Sequence, residues 1–276
     1  MKRSFAEEPF QCLRGVVFDW AGTTVDFGCQ APVQAFLESF AAFGVAVTPA
    51  EAREPMGMGK WDHVSAMMAM PRIFDAWLNV YGVRPSDQDI DRIYQRVESV
   101  MIEVIRRYST PIPGVVEAIA ALRQQGLLIG SCTGYPRSVG EHLVDQAGTF
   151  GYTPDVLVCA TDVARGRPEP DMCLKVLADL NITEACTAVK VGDTVQDVLE
   201  GVRAGMWVVG ITLSGSMAGM TEWELSGLSD AEKWTLHEKI SDKLTEAGAH
   251  FTVPNLPACV ETLHVIDKLC QKKFKP

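Results

Sequence analysis

Asp19 ends an apolar run and opens a polar loop, in Val17-Phe18-Asp19-Trp20-Ala21-Gly22-Thr23-Thr24. That is the setting of a carboxylate nucleophile, although a solvated turn acid would look the same. A second acidic motif, Val191-Gly192-Asp193-Thr194-x-x-Asp197, follows another apolar run. Two carboxylates at neighbouring strand ends can hold Mg²⁺, a hard ion that prefers oxygen ligands. Such an ion would shield a phosphoryl group from the charge of an attacking Asp19. Asp197 reads as a supporting acid, or as a helix-start acid favoured by the dipole. Thr133-Gly134 can offer a hydroxyl and a backbone N–H to phosphoryl oxygens at a helix start, and a plain helix start explains the pair equally well. Arg167, in Gly166-Arg167-Pro168, can neutralise both nucleophile and phosphate, or be a surface arginine before a proline. Lys60 stands where a glycine-rich turn, Glu54-Pro55-Met56-Gly57-Met58-Gly59, runs into a helix. Near a helix N-terminus and a second cation its pKa would be lowered, making a neutral amine available. The competing reading is a solvated lysine at a helix start.

The elements that must position these groups alternate in type. Gly15–Asp19, Leu127–Cys132, Val156–Ala160, Ala188–Val191 and Trp207–Ile211 are short apolar runs, expected to be buried parallel strands. Helical patterns at Pro136–Gln146, Asp171–Leu180 and Val195–Ala204 separate the last four, and Val115–Gln124 feeds the second. This alternation predicts an α/β fold, a doubly wound Rossmann-like parallel sheet. Ligands then bind beyond the carboxyl ends of the strands. Asp19, Thr133, Gly134, Tyr135, Asp162, Arg167 and Asp193 all fall there. Residues 28–110 are helical almost throughout: Ala31–Phe43, a capping box at Thr48-x-x-Glu51, then Trp61–Met70, Pro71–Tyr81 and Ser86–Tyr108. They are expected to form an inserted helical cap domain on a core of residues 1–27 and 111–276; helices packed directly on the sheet are the alternative. The linkers near Asp26–Ala31 and Ser109–Gly114 are the expected hinges. Thr221–Gly248 is a further helical stretch with Trp223, Leu228, Trp234, Leu236, Ile240 and Leu244 as its apolar side.

Composition limits the partners. The chain has 276 residues, 47% of them hydrophobic, and a net charge of −10. Its mean hydropathy is +0.07. The negative charge argues against broad binding to nucleic acid or acidic membrane, yet permits a small anion in a locally positive pocket. No apolar run reaches the roughly 18 residues of a transmembrane helix. Met1–Gln11 lacks the apolar core of a signal peptide. The 8 cysteines are scattered without a Cys-x-x-Cys pair. Reduced thiols and a cytoplasmic setting are expected, rather than disulfides or a zinc site.

The Asp19 loop, Thr133, Arg167 and Gly192-Asp193, in that order, resemble the four motifs of the haloacid dehalogenase superfamily. In most of its phosphatases an acid two residues after the nucleophile protonates the leaving oxygen. Here that residue is Ala21, which has no proton to transfer. Phe18-Asp19-Trp20-Ala21-Gly22-Thr23-Thr24-Val25-Asp26-Phe27-Gly28 resembles the signature of the phosphonoacetaldehyde hydrolase (phosphonatase) family. So do Met56-Gly57 with Lys60-x-Asp62-His63, Thr133-Gly134-Tyr135, Gly166-Arg167-Pro168, Val191-Gly192-Asp193-Thr194 continuing to Gly205-Met206-Trp207, and Gly248-Ala249-His250.

This resemblance implies hydrolysis of the C–P bond of phosphonoacetaldehyde to acetaldehyde and phosphate, in phosphonate (2-aminoethylphosphonate) degradation. It implies Lys60 as the Schiff-base residue and Asp19 as the nucleophile that becomes an aspartyl phosphate. Mg²⁺ would be held by Asp19, the Ala21 carbonyl and Asp193. Arg167, Thr133 and Gly134 would bind the phosphoryl group. His63 would shuttle a proton or orient the site, unless it is a surface or satisfied core histidine. Tyr135 would hydrogen-bond in the same network, Met56 would pack against the lysine or a catalytic water, and Cys29 would line the pocket, although packing alone explains each. The family implies a homodimer through the cap, for which Met67, Met68, Phe74 and Trp77 are candidates, with core packing as the other explanation. A phosphate-ester phosphatase or phosphomutase of the same superfamily is the alternative activity, and a metal-binding or regulatory protein without turnover the non-enzymatic one.

Overall fold

The five apolar runs form β1 (Gly15–Phe18), β2 (Leu128–Thr133), β3 (Val156–Cys159), β4 (Ala188–Gly192) and β5 (Trp207–Ile211), as expected. The computed structural model describes residues 9–276, so residues 1–8 of the N-terminal stretch read above lie outside it. A sixth strand, β6 (Phe251–Val253), extends the sheet. All pairs are parallel and the order is β3-β2-β1-β4-β5-β6. Val16, Val17, Phe18, Val189, Val191, Val209 and Ile211 are all fully buried. Burial on both faces is why these strands are continuous apolar runs rather than alternating ones. The strand order reverses at β1, which pairs with β2 on one side and β4 on the other. A doubly wound sheet opens its ligand crevice at that switch point.

Six helices intervene between β1 and β2, and the first five fall in the inserted segment: α1 (Gln30–Ala42), α2 (Pro49–Arg53), α3 (Lys60–Ala69), α4 (Pro71–Tyr81) and α5 (Asp87–Tyr108). The capping box that opens α2 is present: the Glu51 N–H donates to Thr48 Oγ1, and the Thr48 N–H donates to Glu51 Oε2 at 2.8 Å. α1 and α5 pack along each other, burying Phe36 and Phe40 with Ile93, Val97 and Val100. Met67, Met68 and Trp77 are also buried, at 0, 2 and 1% exposure. These three dimer candidates therefore serve the chain's own packing. The two connecting segments run side by side, with Val25 bridging Pro111 and the Ile112 N–H donating to Thr24 O.

The remaining helices are α6 (Val115–Gln124), α7 (Arg137–Gly148), α8 (Asp171–Asp179), α9 (Val195–Arg203), α10 (Glu222–Ser226), α11 (Asp230–Glu246) and α12 (Leu256–Gln271). The expected single stretch Thr221–Gly248 is thus two helices. Ser229 starts the second, its hydroxyl accepting from the Glu232 N–H. Of the apolar side read there, Ile240 and Leu244 are buried, whereas Trp223 and Trp234 are 82 and 63% exposed. No described helix is long and apolar enough to cross a membrane.

Cys12 and Cys270 are disulfide-bonded, against the expectation of reduced thiols throughout. The Asp267 carboxylate on α12 accepts the N–H groups of Gln11, Cys12 and Leu13. That holds the segment before β1 against α12 and brings the sulfurs into reach. The other six cysteines are free.

Candidate active site

β1 ends where Asp19 begins, and the Asp19 N–H donates to Val191 O on β4 at 2.9 Å. Phe18 stands level with Ser131 on β2 and Val191 on β4. The loops leaving these three strands therefore meet, carrying Asp19, Thr133-Gly134 and Asp193. Asp19, Ala21, Cys29, Pro32, Met56, Gly57, Met58, Lys60, Thr133, Gly134, Tyr135, Arg167, Asp193 and Thr194 line one cavity. They leave about 30 Å³ of space for water-sized molecules. The turn from Met56 to Met58 lies against the strand-end loops. A Cβ on Gly57 (φ +95°) would collide with Thr194 Oγ1, and one on Gly134 would lie 2.7 Å from Met58 O. Only glycine permits that approach at both positions.

Arg167 is buried, with each guanidinium nitrogen engaged. Nη2 reaches Asp19 Oδ1 at 2.8 Å, Nη1 reaches Asp197 Oδ1 at 3.1 Å, and Nε reaches Glu200 Oε2 at 2.9 Å. The bland reading of a surface arginine is excluded. Asp197 also accepts from Thr194 Oγ1 at 2.5 Å, at the start of α9. It lies behind the nucleophile, pinned by its partners, and Arg167 and Lys190 hold its pKa down despite burial.

Asp19, Asp193 and Asp197 bring carboxylate oxygens within 4.8 Å of one another. Burial and then the charge of Asp197 push Asp19 up, although Arg167 opposes this. Asp193 is pushed up to about 7 by burial, then by Asp19 and Asp197. It accepts the Ser216 N–H at 2.6 Å and lies 3.6 Å from Cys29 Sγ. Buried carboxylates with this much mutual repulsion form a donor set suited to a hard divalent cation. Asp197 is already committed to Arg167, Lys190 and Thr194. Asp19 and Asp193, with Ala21 on the same wall, are the residues left to hold an ion.

Lys60 begins α3 and is 7% exposed. Its Nζ lies 5.4 Å from the Phe36 ring centroid and 5.1 Å from that of Tyr135. Burial brings its pKa down to about 8, with Arg167 adding to the drop while Asp19 and Asp193 oppose it. Burial therefore outweighs the neighbouring cation that the sequence suggested. Cys29 stays a neutral thiol, raised by burial and by Asp193. Tyr135 is buried over the same space, and Met56 lines it at 8% exposure.

His63 is not on the cavity wall. One turn beyond Lys60, it is fully buried and stacks on Phe36 at 4.0 Å. Its Nε2 lies 2.9 Å from Ala52 O, so that nitrogen carries the hydrogen, and Nδ1 has no partner among the described residues. Burial, then the Lys60 charge, hold its pKa well below 6.5, so the ring is neutral. Asp162 lies outside the site, paired with Arg137 and accepting the Cys159 N–H. His250 is likewise outside, its Nδ1 accepting the Val208 N–H.

Sequence reasoning passed over three charged groups. Lys190, in the middle of β4, reaches Asp197 Oδ1 at 3.0 Å and Glu200 Oε2 at 3.1 Å. A charged residue inside the apolar run Ala188–Val191 was the available signal. Glu200, three residues beyond Asp197, shares its helix face. Arg53, at the end of α2, donates to the carbonyls of Gly28 and Gly219 at 2.8 and 3.1 Å. It ties α2 both to the connecting segment and to the loop after β5.

A family model for haloacid dehalogenase-like hydrolases matches residues 13–205. The chain is 43% identical over 256 residues to a phosphonoacetaldehyde hydrolase of Bacillus cereus (strain AH187), covering 93% of this chain and 97% of that protein. It is 42% identical over 256 residues to that of Bacillus thuringiensis (strain Al Hakam), with the same coverage. Among solved structures, a phosphonoacetaldehyde hydrolase-like protein from Oleispira antarctica superposes with a TM-score of 0.94 at 36% identity, over 100% of both chains. With its parallel sheet, its strand-end carboxylates and these relatives, the chain belongs to the phosphonoacetaldehyde hydrolase family of haloacid dehalogenase-like hydrolases.

Proposed function

We propose that the protein hydrolyses the C–P bond of phosphonoacetaldehyde to acetaldehyde and phosphate, a step in the breakdown of 2-aminoethylphosphonate. The observation that carries this reading is that Ala21 and Lys60 line one cavity. Two residues past the nucleophile, where an acid would protonate an oxygen leaving group, stands an alanine. Across from it is a buried amine, and an amine can turn an aldehyde into an electron sink. A carbon leaving group needs the second and has no use for the first.

Lys60 Nζ adds to the aldehyde carbonyl, and loss of water leaves a protonated imine. An Asp19 oxygen attacks phosphorus. The C–P electron pair moves into the iminium as the bond breaks, leaving an enamine on Lys60 and the phosphoryl group on Asp19. The enamine takes a proton at carbon, and water hydrolyses the resulting iminium to acetaldehyde and free lysine. A second water hydrolyses the aspartyl phosphate. Arg167, the Thr133 hydroxyl and the Gly134 N–H bind the phosphoryl oxygens. Asp197 holds Arg167. Tyr135, whose ring faces the Lys60 amine, serves the proton movements there, and His63 orients the site from behind through its stack on Phe36, while Met56 and Cys29 keep the surroundings of Lys60 dry. Asp19, the Ala21 carbonyl and Asp193 would hold Mg²⁺, whose charge offsets the repulsion between carboxylate and phosphonate.

Lys60 comes from the inserted segment and Asp19 from the end of β1, so residues 28–110 act as a cap that closes on a core of residues 1–27 and 111–276. A homodimer through the cap and a cytoplasmic setting complete the reading. The test is borohydride trapping with phosphonoacetaldehyde, followed by peptide mapping. A reduced adduct on Lys60 is expected; acetaldehyde release without it overturns the imine route. Faster phosphate release from simple esters than from the phosphonate would assign the site to a phosphatase or phosphomutase.

A further inference from the structure

We infer that Lys190 is a positioning residue: it shares the Asp197 and Glu200 carboxylates with Arg167, leaving the Arg167 charge directed at Asp19 and the phosphoryl group. This rests on the proposed phosphoryl role of Arg167 and extends it to a residue that touches no substrate. Lys190 is fully buried and lies outside the cavity lining. Its Nζ contacts Asp197 Oδ1 and Glu200 Oε2 at 3.0 and 3.1 Å. Those are the same two oxygens that Arg167 uses, through Nη1 at 3.1 Å and Nε at 2.9 Å. Each oxygen thus bridges two cations. Nζ also donates to Cys132 Sγ at 2.9 Å, while Arg167 Nη2 donates to Cys132 O at 3.1 Å.

The consequence is electrostatic. With Lys190 present, two cations face two acids, and Arg167 Nη2 keeps a strong interaction for Asp19. Without it, Arg167 alone must balance Asp197 and Glu200 in a medium that screens poorly. Its charge would then be spent on the acids behind it, and the anion in front would be held less tightly. A merely structural lysine predicts something else: loss of stability with unchanged anion binding in whatever protein remains folded.

The experiment measures inorganic phosphate binding by calorimetry, at saturating MgCl₂, with folding checked by thermal unfolding. Lys190→Met is expected to weaken phosphate about tenfold or more, and Lys190→Met/Glu200→Gln to regain most of that loss, because it restores one acid to one cation. Wild-type affinity in the single variant, or no recovery in the double, overturns the inference. Should Lys190→Met fail to fold, Glu200→Gln decides. Its amide oxygen still accepts hydrogen bonds while one of the two acids behind Arg167 loses its charge, so phosphate should bind several-fold tighter; equal or weaker binding overturns the inference. Phosphonoacetaldehyde turnover by the wild type is read separately. Its absence, with phosphate affinity still responding to Lys190, would sink the proposed activity and leave this inference standing.

Discussion

Two lysines feel the charge of Arg167, and burial treats them differently. Lys60 is buried over the rings of Phe36 and Tyr135, and its pKa falls to about 8. Lys190 is buried deeper, yet its pKa is raised well above 10.5. Burial and Arg167 push Lys190 down, but Cys132, Glu200 and Asp197 outweigh them. The difference teaches that burial alone sets no charge state. Carboxylates in contact keep one lysine a permanent cation, and an aromatic wall keeps the other close to a usable amine.

The largest effect should come from removing the amine while keeping a positive charge. Lys60→Arg is expected to lower phosphonoacetaldehyde turnover by at least about 10⁴-fold, since guanidinium forms no comparable imine. Phosphate binding should survive, because Arg167 is untouched. Steady-state kinetics alongside calorimetry checks both halves; substantial turnover by this variant would break the comparison. Arg167→Lys should follow, with kcat down about 10²–10³-fold. A single ammonium cannot hold Asp19, Asp197 and Glu200 with three separate nitrogens as the guanidinium does.

The same substitution at the two lysines should move stability in opposite directions. Lys190→Met leaves Asp197 and Glu200, besides Asp19, to one arginine and is expected to cost about 3–5 kcal/mol. Lys60→Met removes a buried cation with no carboxylate in contact and should gain about 0.5–2 kcal/mol, as substitutions at strained functional sites do. Denaturant unfolding of the two variants measures both. A loss at Lys60 equal to that at Lys190 would mean that Lys60 is held by acids after all.

The comparison also shows what could be read from the chain. Asp19 and Asp193 were legible because each ends an apolar run, and strand ends converge in a parallel sheet. Asp162 met the same criterion but turned away to Arg137, since strand-end position says nothing of side-chain partners. Lys60 had a local alternative, and its burial depends on Phe36 and Tyr135, which lie far from it in sequence. Lys190 was hidden by its valine neighbours, which mark a strand so strongly that the odd charge drew no notice. β6 has three residues, too few for a period, and Cys12 pairs across a separation of 258 residues. The break between α10 and α11 was signalled by Ser229 and Glu232, a capping pair within an otherwise helical pattern.

The smallest effect sharpens the comparison most, because it converts one lysine's surroundings towards the other's. Below pH 8 the Lys60 amine is mainly protonated and cannot attack a carbonyl. Only about a tenth is neutral at pH 7, so trapping by acetaldehyde and cyanoborohydride should speed up about tenfold between pH 7 and 9 and then level off. The rate falls as pH falls because the group that must be neutral is a base with a lowered pKa. Met56 lines the same cavity, and Met56→Glu would place a carboxylate beside that amine. An opposite charge favours the protonated form, so the midpoint should rise by about one pH unit. Acetaldehyde carries no phosphoryl group, so Asp19 and Arg167 take no chemical part and act on the reading only through their charges. A midpoint that stays at 8 would mean that the aromatic wall and the low dielectric around Lys60 dominate even a new carboxylate, and that Lys190 is a cation for reasons beyond its two acids.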